Sequence, residues 1–496
     1  MAGTETITIS KAEYEELKSF KAEVESSKSE IALLKYQLAE LRRLIFGAKS
    51  ERFLAPVPGQ LNLFELPAEL SINKPQEEIT YTRTVPEKEK KHPLRAELPA
   101  HLPRRVEVIE PENIAEGAKK IGEAITEILE YEPANVYVRQ IVRPKYIVES
   151  TDESTRIVIA ELPSLPVPKG NAGPSMIAHV LVNKFVDHLP FYRQSQIFKR
   201  QGLNIPESTI GGWFSAGCNL LGFVYQAQKT KILASDYLMA DETPIAVLSS
   251  DKPGATHTGY YWVYYDPVNR MVLFDYRKTR GREGPEELLK NFSGYLQTDG
   301  YTAYNNLKNQ ANITQLACMA HARRKFEHAK DNDPQRATQA MSMIQKLYDI
   351  ERQAREELLQ PDEIKDLRQL QAKPILDEMG KWLKEQVGHT LPKSAIGGAI
   401  AYTLTLWPRL VRYIEDGRFQ IDNNLIENSI RPVALGRKNY LFAGSHEAAQ
   451  NAAVIYSLLA TCKINNIEPL AWLTRTLAVI SDYPANQLHK LLPGQK

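Results

Sequence analysis

The sequence predicts an α/β protein with a mixed β-sheet core, a helical insertion and several smaller N-terminal regions. Three consecutive β-rich runs joined by short turns are followed by alternating helix and strand. This order is typical of an RNase H-like core. A heptad pattern near the N-terminus adds a coiled coil, and the length of 496 residues suits about three domains.

Residues 1–53 are predicted to form a leucine-zipper-like coiled coil. Apolar residues recur at alternating steps of three and four along residues 10–47, and only Ser27 interrupts the apolar seam. A period of 3.5 keeps one stripe facing a partner helix, so we expect a homo-oligomer. The alternative is an amphipathic helix packed on its own domain. The seam residues expected to mediate oligomerisation are Leu17, Val24, Ile31, Leu34, Leu38, Leu41 and Ile45.

Two further regions precede the helical part of the chain. Residues 54–104 are rich in Pro, Gln, Glu and Lys and are interpreted as a linker. Residues 105–170 contain short β-like runs that indicate a small β-rich domain. The three cysteines, Cys218, Cys318 and Cys462, are isolated, which excludes a disulfide framework and a four-cysteine zinc site. Such sparse use of cysteine fits a reducing cytoplasm, and no apolar run is long enough to span a membrane.

Residues 175–217 are predicted to contain a helix-turn-helix. Residues 191–201 would form the first helix, Gly202 the left-handed turn, and Ser208 would cap the second helix. One interpretation is a recognition helix that enters the major groove of DNA, and the alternative is an ordinary helical hairpin. The residues expected to contact DNA here are Arg193, Lys199, Arg200, Ser208 and Thr209.

The core itself is predicted in two parts. Residues 232–330 form the first part, with strands expected at 236–248, 259–265, 271–276, 294–297 and 313–318 and with helical pieces at 285–291, near 302–307 and from about 320. Residues 331–415 are interpreted as a helical insertion, with Pro361 and Pro374 as breaks. Residues 416–445 complete the core, and residues 446–496 form a C-terminal helical region.

Three carboxylates have settings that suit phosphoryl transfer on DNA. Asp241 lies in the first β-run, Asp299 just past the fourth, and Glu427 on a late helix. Phosphoryl transfer on DNA uses two divalent ions, and magnesium prefers carboxylate oxygens. Adjacent strand residues point to opposite faces, so the pattern alone leaves the choice between Asp241 and Glu242 open.

Several longer motifs go beyond these single residues. They are MADETPIAVL (239–248), LQTDGYTAY (296–304), ACMAHARRKF (317–326) and IDNNLIENSIRPVALGRKNYLFAGS (421–445). LRRLIFGAKSERF (41–53), LPFYRQSQIFKRQGLNIPESTIGGWF (189–214) and LLATCKINNIEPLAWL (458–473) extend the pattern over nearly the whole chain. With these motifs in this order, the chain resembles the insertion sequence 66 family of bacterial transposases.

The resemblance implies a DDE triad of Asp241, Asp299 and Glu427, which holds two Mg²⁺ or Mn²⁺ ions and leaves Glu242 outside. It implies a transposase that binds terminal inverted repeats and catalyses cleavage and strand transfer of double-stranded DNA. Small accessory proteins of the same element are possible partners, no membrane partner is expected, and the expected location is the bacterial cytoplasm at the nucleoid. The alternatives are a catalytically idle DNA-binding regulator with the same fold and an RNase H-like nuclease.

The net charge of +2 excludes a uniformly basic DNA-binding coat, so basic residues must segregate locally. Residues 318–326 and 428–445 are basic strings without an acid and are expected to hold DNA phosphates; solvated faces with ion pairs are the alternative. The residues concerned are His321, Arg323, Arg324, Lys325, Arg431, Arg437 and Lys438. The family typically has a cysteine-bearing zinc-finger-like region before the helix-turn-helix, but residues 92–148 hold no cysteine, so no zinc is expected.

Overall fold

A computed structural model describes residues 172–494, with gaps at 250–253 and 310–311, together with residues 136, 145–149, 155–159, 164–167 and 170. The chain divides into two compact units, of which the smaller is Lys49–Leu162. Strands β1 (Lys145–Glu149) and β2 (Thr155–Ile159) of this unit pair in antiparallel fashion. The predicted coiled coil, the linker and the other β-runs of the N-terminal region lie outside the described residues.

A five-stranded mixed sheet forms the centre of the larger unit. Its strands are β3 (Tyr237–Leu248), β4 (Thr256–Asp266), β5 (Met271–Arg277), β6 (Gly294–Thr298) and β7 (Ile313–Ala317). The order across the sheet is β5-β4-β3-β6-β7. Strand β4 runs antiparallel to β3 and β5, whereas β6 is parallel to β3 and β7. All five strands lie where the sequence predicts them, with ends that differ by three residues at most.

The sheet is covered on both faces, which explains the composition of its strands. Trp262, Tyr261 and Tyr264 of β4 and Phe274 of β5 are all fully buried. Large aromatic and β-branched side chains suit a strand that packs against layers on either side. The central strands therefore show long apolar runs rather than a simple alternation of apolar and polar residues.

Three helices precede the sheet: α1 (Pro174–Phe185), α2 (Phe191–Arg200) and α3 (Glu207–Leu233). Gly202 has a φ of 81°, the left-handed conformation that the sequence predicts for the turn. The prediction that Ser208 caps the second helix is wrong. Helix α3 begins at Glu207, because Pro206 supplies the extended residue that precedes the first turn, and Ser208 lies inside that turn.

Helix α3 is also much longer than the predicted recognition helix, at 27 residues. Its second half packs on the sheet. The Tyr225 hydroxyl donates to the carbonyl of Phe274 at 2.9 Å, and the Gln228 amide donates to the carbonyl of Val272 at 2.6 Å. The predicted helix-turn-helix is thus continuous with the body of the larger unit.

Helices make up the rest of the chain. They are α4 (Glu283–Leu288), α5 (Met319–His328), α6 (Pro334–Glu356), α7 (Pro361–Leu367), α8 (Lys373–Val387), α9 (Ala395–Leu410), α10 (Asn424–Tyr440), α11 (His446–Ile464) and α12 (Pro469–Val479). Pro361, predicted as a break, lies in the first turn of α7, where a missing N–H has no cost. Pro374, the other predicted break, does not end a helix: α7, a π-helical turn (Arg368–Ala372) and α8 follow one another without a gap, and Pro374 lies just after that turn. Within the described ranges, no helix is long and apolar enough to cross a membrane.

A buried ion pair fixes the insertion to the segment that leads into α10. The Arg368 guanidinium lies 2.7 Å from the Glu351 carboxylate of α6, and both side chains are almost completely buried. Arg368 also donates to the carbonyl oxygens of Tyr413, Asp416 and Phe419, each at 2.9 Å. The guanidinium therefore satisfies carbonyls that no helix or strand pairs, and it links α6 to the chain just before Glu427.

Candidate active site

The three predicted acids come from three elements: the inner strand β3, the end of the neighbouring inner strand β6 and the start of α10. Strands β3 and β6 are parallel neighbours, with Met239 opposite Gln297. The pairing ends there, two residues before Asp241 in β3 and two before Asp299, which lies just past the end of β6. Glu427 lies in the first turn of α10.

The electrostatics of Asp241 show that the other acids are close to it. Burial raises the pKa of Asp241 to about 8, and the charges of Glu242, Asp299 and Glu427 act in the same direction. The backbone N–H of Glu242 donates to the Asp241 carboxylate at 2.8 Å and opposes the shift. The structure thus brings the three predicted acids together, in a setting where a negative charge on Asp241 is costly without a cation.

Glu242 is held in a different way from its neighbour. Its side chain is 3% exposed and pairs with the Arg280 guanidinium at 2.6 Å. The Tyr304 hydroxyl donates to its other oxygen at 3.3 Å. Burial raises the pKa of Glu242, and the hydrogen bond from Arg280 opposes this. Glu242 is therefore engaged by its own partners, whereas Asp241 has no cationic partner among the described side chains.

Asp299 is fixed by its backbone and by the loop that follows. The Tyr301 N–H donates to its carboxylate at 2.7 Å, and the Tyr402 hydroxyl of α9 donates to its carbonyl at 2.7 Å. Gly300 has a φ of 90°, and a Cβ at this position would lie 2.8 Å from the Leu406 side chain. The Asp-Gly pair is therefore required by both conformation and space.

The start of α10, which carries Glu427, is anchored to α5 and α6. The N–H of Asn423 donates to the Cys318 sulfur at 3.2 Å, and the Tyr348 hydroxyl of α6 donates to Asp422 at 2.8 Å. Burial raises the pKa of Cys318 to about 12, so it remains a thiol.

The donor chemistry of the site suits a hard divalent cation. The three carboxylates supply oxygen ligands, and the buried Oδ1 atom of Asn423, next to Glu427 on α10, has no hydrogen-bond partner. As arranged, the described side chains include no group of three His, Cys, Asp or Glu residues that could hold a metal ion.

The basic string of α5 is distributed over several faces of the helix. Arg324 lies 3.9 Å from the Glu427 carboxylate. Burial lowers the pKa of His321, and the nearby charges of Asp299 and Glu427 oppose this, so His321 also belongs to the acid cluster. Arg323 pairs instead with Glu327 at 3.2 Å, and the Lys325 ammonium lies 5.5 Å from the centre of the Tyr402 ring.

The other predicted DNA contacts lie along α10 and on α2 and α3. Arg431 and Lys438 are exposed, and Arg437 donates to the carbonyl of Pro244 in β3. Arg193 donates to Asn439 at 3.4 Å, which joins α2 to the end of α10. Lys199, Arg200 and Ser208 are exposed and Thr209 is partly exposed. None of these last four contacts the acid cluster among the described residues.

Sequence reasoning missed Arg280, Tyr301 and Tyr402 at this site. The Arg280 guanidinium lies 4.0 Å from the centre of the Tyr301 ring, so a stacked arginine connects Glu242 to the loop after Asp299. The only signal in the sequence was the pair of tyrosines that follows the Asp-Gly turn, which indicates an aromatic surface without naming its partner.

Three family models match the chain. The model described as "Transposase IS66 family" matches residues 169–451, which include all three acids. The model "Transposase C of IS166 homeodomain" matches residues 33–106, and "IS66 C-terminal element" matches residues 457–493.

Relatives of similar length come from a rhizobial bacterium. The chain is 34% identical over 504 residues to the uncharacterized protein y4qI of Sinorhizobium fredii, covering 96% of this chain and 91% of that protein. It is 32% identical over 486 residues to y4jD of the same organism, covering 93% and 94%. With a DDE transposase domain matched over more than half of its length, the chain belongs to the IS66 family of transposases.

Proposed function

We propose that the protein is the active transposase of an insertion sequence, which binds the terminal inverted repeats, cleaves the element ends and joins them to target DNA. The observation that carries this proposal is the placement of Asp241 in β3, of Asp299 just past the parallel neighbour β6 and of Glu427 at the start of α10, with the charges of Asp299 and Glu427 acting on Asp241. The strand order β5-β4-β3-β6-β7, with β4 antiparallel and β6 and β7 parallel to β3, supports an RNase H-like core.

The three acids would hold a pair of Mg²⁺ or Mn²⁺ ions, with Asp241 and Asp299 on the strands and Glu427 completing one site. Two such ions lower the pKa of an attacking hydroxyl and stabilise the leaving oxygen of an in-line displacement. Asp241 must lose its proton before it can bind a cation, because its pKa near 8 leaves it mostly protonated at neutral pH.

The reaction would proceed in two in-line displacements. In both, the reacting phosphate would lie in the same place beside the acids. In the first, water attacks the phosphodiester at the element end and a 3′-hydroxyl leaves. In the second, this hydroxyl attacks a target phosphate, whose own 3′-oxygen leaves. The acids orient the attacking group, and no covalent link to the protein forms.

The basic residues near the acids would position DNA by its phosphates. Arg324 and His321 lie closest to Glu427, and Arg431 follows it by one helical turn on α10 with its side chain exposed. Contacts of this kind fix the position of a duplex without reading its sequence. Recognition of the terminal repeats is proposed for α2 and α3, whose exposed Lys199 and Arg200 are available to DNA.

A strand-transfer assay with terminal-repeat DNA and magnesium tests the proposal. The wild type should give joined product, and Asp241→Asn, Asp299→Asn and Glu427→Gln should each lower its rate by at least about a thousandfold, since the chemistry depends on these oxygens. Glu287→Gln changes an acid at the surface, where it pairs with Arg277, and should leave the rate unchanged.

The alternatives give different outcomes in the same assay. End binding without any product in the wild type would support a regulator, and cleavage of hybrid or branched DNA without strand transfer would support a nuclease. If each of the three variants still gave joined product at the wild-type rate, the assignment of the triad would be wrong.

A further inference from the structure

A concave feature lies away from the acids. A cavity of about 420 Å³ opens between α1, the α2–α3 pair and the segment that joins α10 to α11. Its aromatic lining includes Phe191, Phe214, Tyr261, Tyr440, Phe442 and Tyr456. The volume lies within the range of small-molecule sites, and the lining is mainly apolar with a few polar groups.

A half-buried lysine lies in this aromatic cavity. The Lys184 ammonium lies 4.0 Å from the centre of the Phe191 ring and 4.7 Å from that of the Tyr440 ring. Burial lowers the pKa of Lys184 to about 8, and no described carboxylate pairs with it. The Arg437 guanidinium is close enough to lower the pKa of Tyr440, and the exposed Glu447 is the opposing charge on the rim. Lys184 and Glu447 are thus the charged residues of the lining itself.

The backbone at the mouth of the cavity is strained. Leu441 has a φ of 53° and a ψ of −45°, and the N–H of Phe442 donates to the carbonyl of Tyr440 at 2.5 Å. This is the γ-turn geometry that is rare for a branched residue, and such strain is concentrated at functional sites. It leaves two large apolar side chains at the surface, with Leu441 65% and Phe442 41% exposed.

The cavity is connected to the acid cluster by two rigid elements. Tyr440 is 13 residues beyond Glu427 on α10, about 20 Å at 1.5 Å per residue. Ala443 exchanges backbone hydrogen bonds with Ala246 and Leu248 of β3, so it lies beside Val247, about 20 Å from Asp241 along the strand. Both paths give the same separation, which equals about six base-pair steps of B-form DNA.

We propose that this aromatic cavity receives one nucleobase of the element end, unpaired from the duplex, about six positions from the cleaved bond. The proposal rests on the transposase function proposed above. Bases stack on aromatic rings whatever their sequence, and a base can enter a cavity between helices only after it leaves the duplex. Lys184 would face a phosphate beside the extruded base, which explains why a cation accompanies the aromatic rings.

The test is to place a single mismatch at each of the first twelve positions of a terminal-repeat duplex and to measure binding to the full chain. A mismatch removes the cost of unpairing, so affinity should rise by about tenfold at one position near the sixth. Phe442→Ala should abolish this rise and Phe442→Tyr should keep it. Leu435→Ala, which removes a similarly exposed apolar side chain of α10 outside the cavity, should keep it too.

The outcomes separate this inference from the function on which it rests. Absence of specific end binding by the wild type with fully paired DNA would reject the proposed function. Specific binding and strand transfer with no favoured mismatch position would overturn only the nucleobase site. If the affinity rose equally for a mismatch at every position, or still rose for Phe442→Ala, the rise would reflect the flexibility of the DNA. Either result would also overturn the nucleobase site.

Discussion

The Tyr348 hydroxyl of α6 donates to the Asp422 carboxylate at 2.8 Å, five residues before Glu427. Asp422 also accepts from the N–H of Asn424 at 2.9 Å, in the turn that begins α10. A residue of the insertion therefore fixes the first turn of the helix that carries the third acid. This contact gives the insertion a role in the geometry of the site.

Tyr348→Phe removes this hydrogen bond while keeping the ring. We expect a loss of about 1–2 kcal/mol in the free energy of unfolding, because the acceptor is charged and partly buried. If the bond positions α10, strand transfer should also need several times more magnesium to reach half its maximal rate. Urea unfolding and a magnesium titration measure the two effects. Tyr483→Phe, at a partly exposed position whose hydroxyl bonds to no described residue, is the matched control and should change neither.

Gly300→Ala tests the turn that holds Asp299. The residue has a φ of 90°, and the added Cβ would lie 2.8 Å from Leu406, so we expect a loss of about 2 kcal/mol or more together with a large fall in strand transfer. Gly222→Ala in α3 meets no atom within 4 Å and should raise stability by about 0.5–1 kcal/mol. Similar melting temperatures for the two variants would contradict the steric argument.

Much of the sheet could be predicted from the sequence, for a physical reason. The strands of the core have β-branched and aromatic runs bounded by turns, so local patterns suffice for them. The choice of Asp241 over Glu242 came only from the family resemblance, because both acids lie inside β3 and a local pattern treats them alike. The contacts of Arg280 with Glu242 and of Tyr348 with Asp422 join residues 38 and 74 positions apart. Pairings at such separation leave no periodic signal in one sequence.

The helix-turn-helix shows the limit of local reasoning more clearly. The turn at Gly202 has a local signature and is found, but the length of α3 depends on Tyr225 and Gln228 reaching the distant strand β5. Tertiary packing thus extends a helix that the motif alone would end near residue 214.

Arg368→Met tests the buried pair that fixes the insertion. The change leaves Glu351 buried without its counter-charge, so we expect a loss of about 3–5 kcal/mol in urea unfolding. The double change Arg368→Met and Glu351→Leu removes both charges and should recover most of that loss. Arg352→Met, which breaks an exposed pair with Asp349 on the same helix, should cost less than about 1 kcal/mol. A double variant no more stable than Arg368→Met would show that the carbonyl contacts of Arg368 matter more than the pair.

Leu34→Asp tests the predicted coiled coil, which lies outside the described residues. A charge in the apolar seam should lower the oligomeric state, which light scattering measures as a smaller molar mass. Tyr36→Asp introduces the same charge at a position that the heptad pattern places away from the seam, and it should leave the mass unchanged. An unchanged mass for both variants would favour a helix packed on its own domain.

The pKa of Asp241 gives a pH dependence whose sign can be derived. An aspartate of the unfolded chain titrates near pH 3.9, whereas burial and the neighbouring acids raise the pKa of folded Asp241 to about 8. Between these values the folded state binds more protons than the unfolded state, so this group makes stability fall as pH rises. The fall should level off above pH 8.

Asp241→Asn removes this titration, so in EDTA the variant should melt at a higher temperature than the wild type at pH 8 and should depend less on pH. Magnesium should raise the melting temperature of the wild type at pH 8 and have little effect on the variant, because a cation compensates the charge that burial makes costly. Glu287→Gln should follow the wild type throughout. Superimposable profiles of the wild type and Asp241→Asn would mean that Asp241 titrates as an ordinary surface aspartate, and the acid cluster would then lack the mutual repulsion on which its affinity for cations depends.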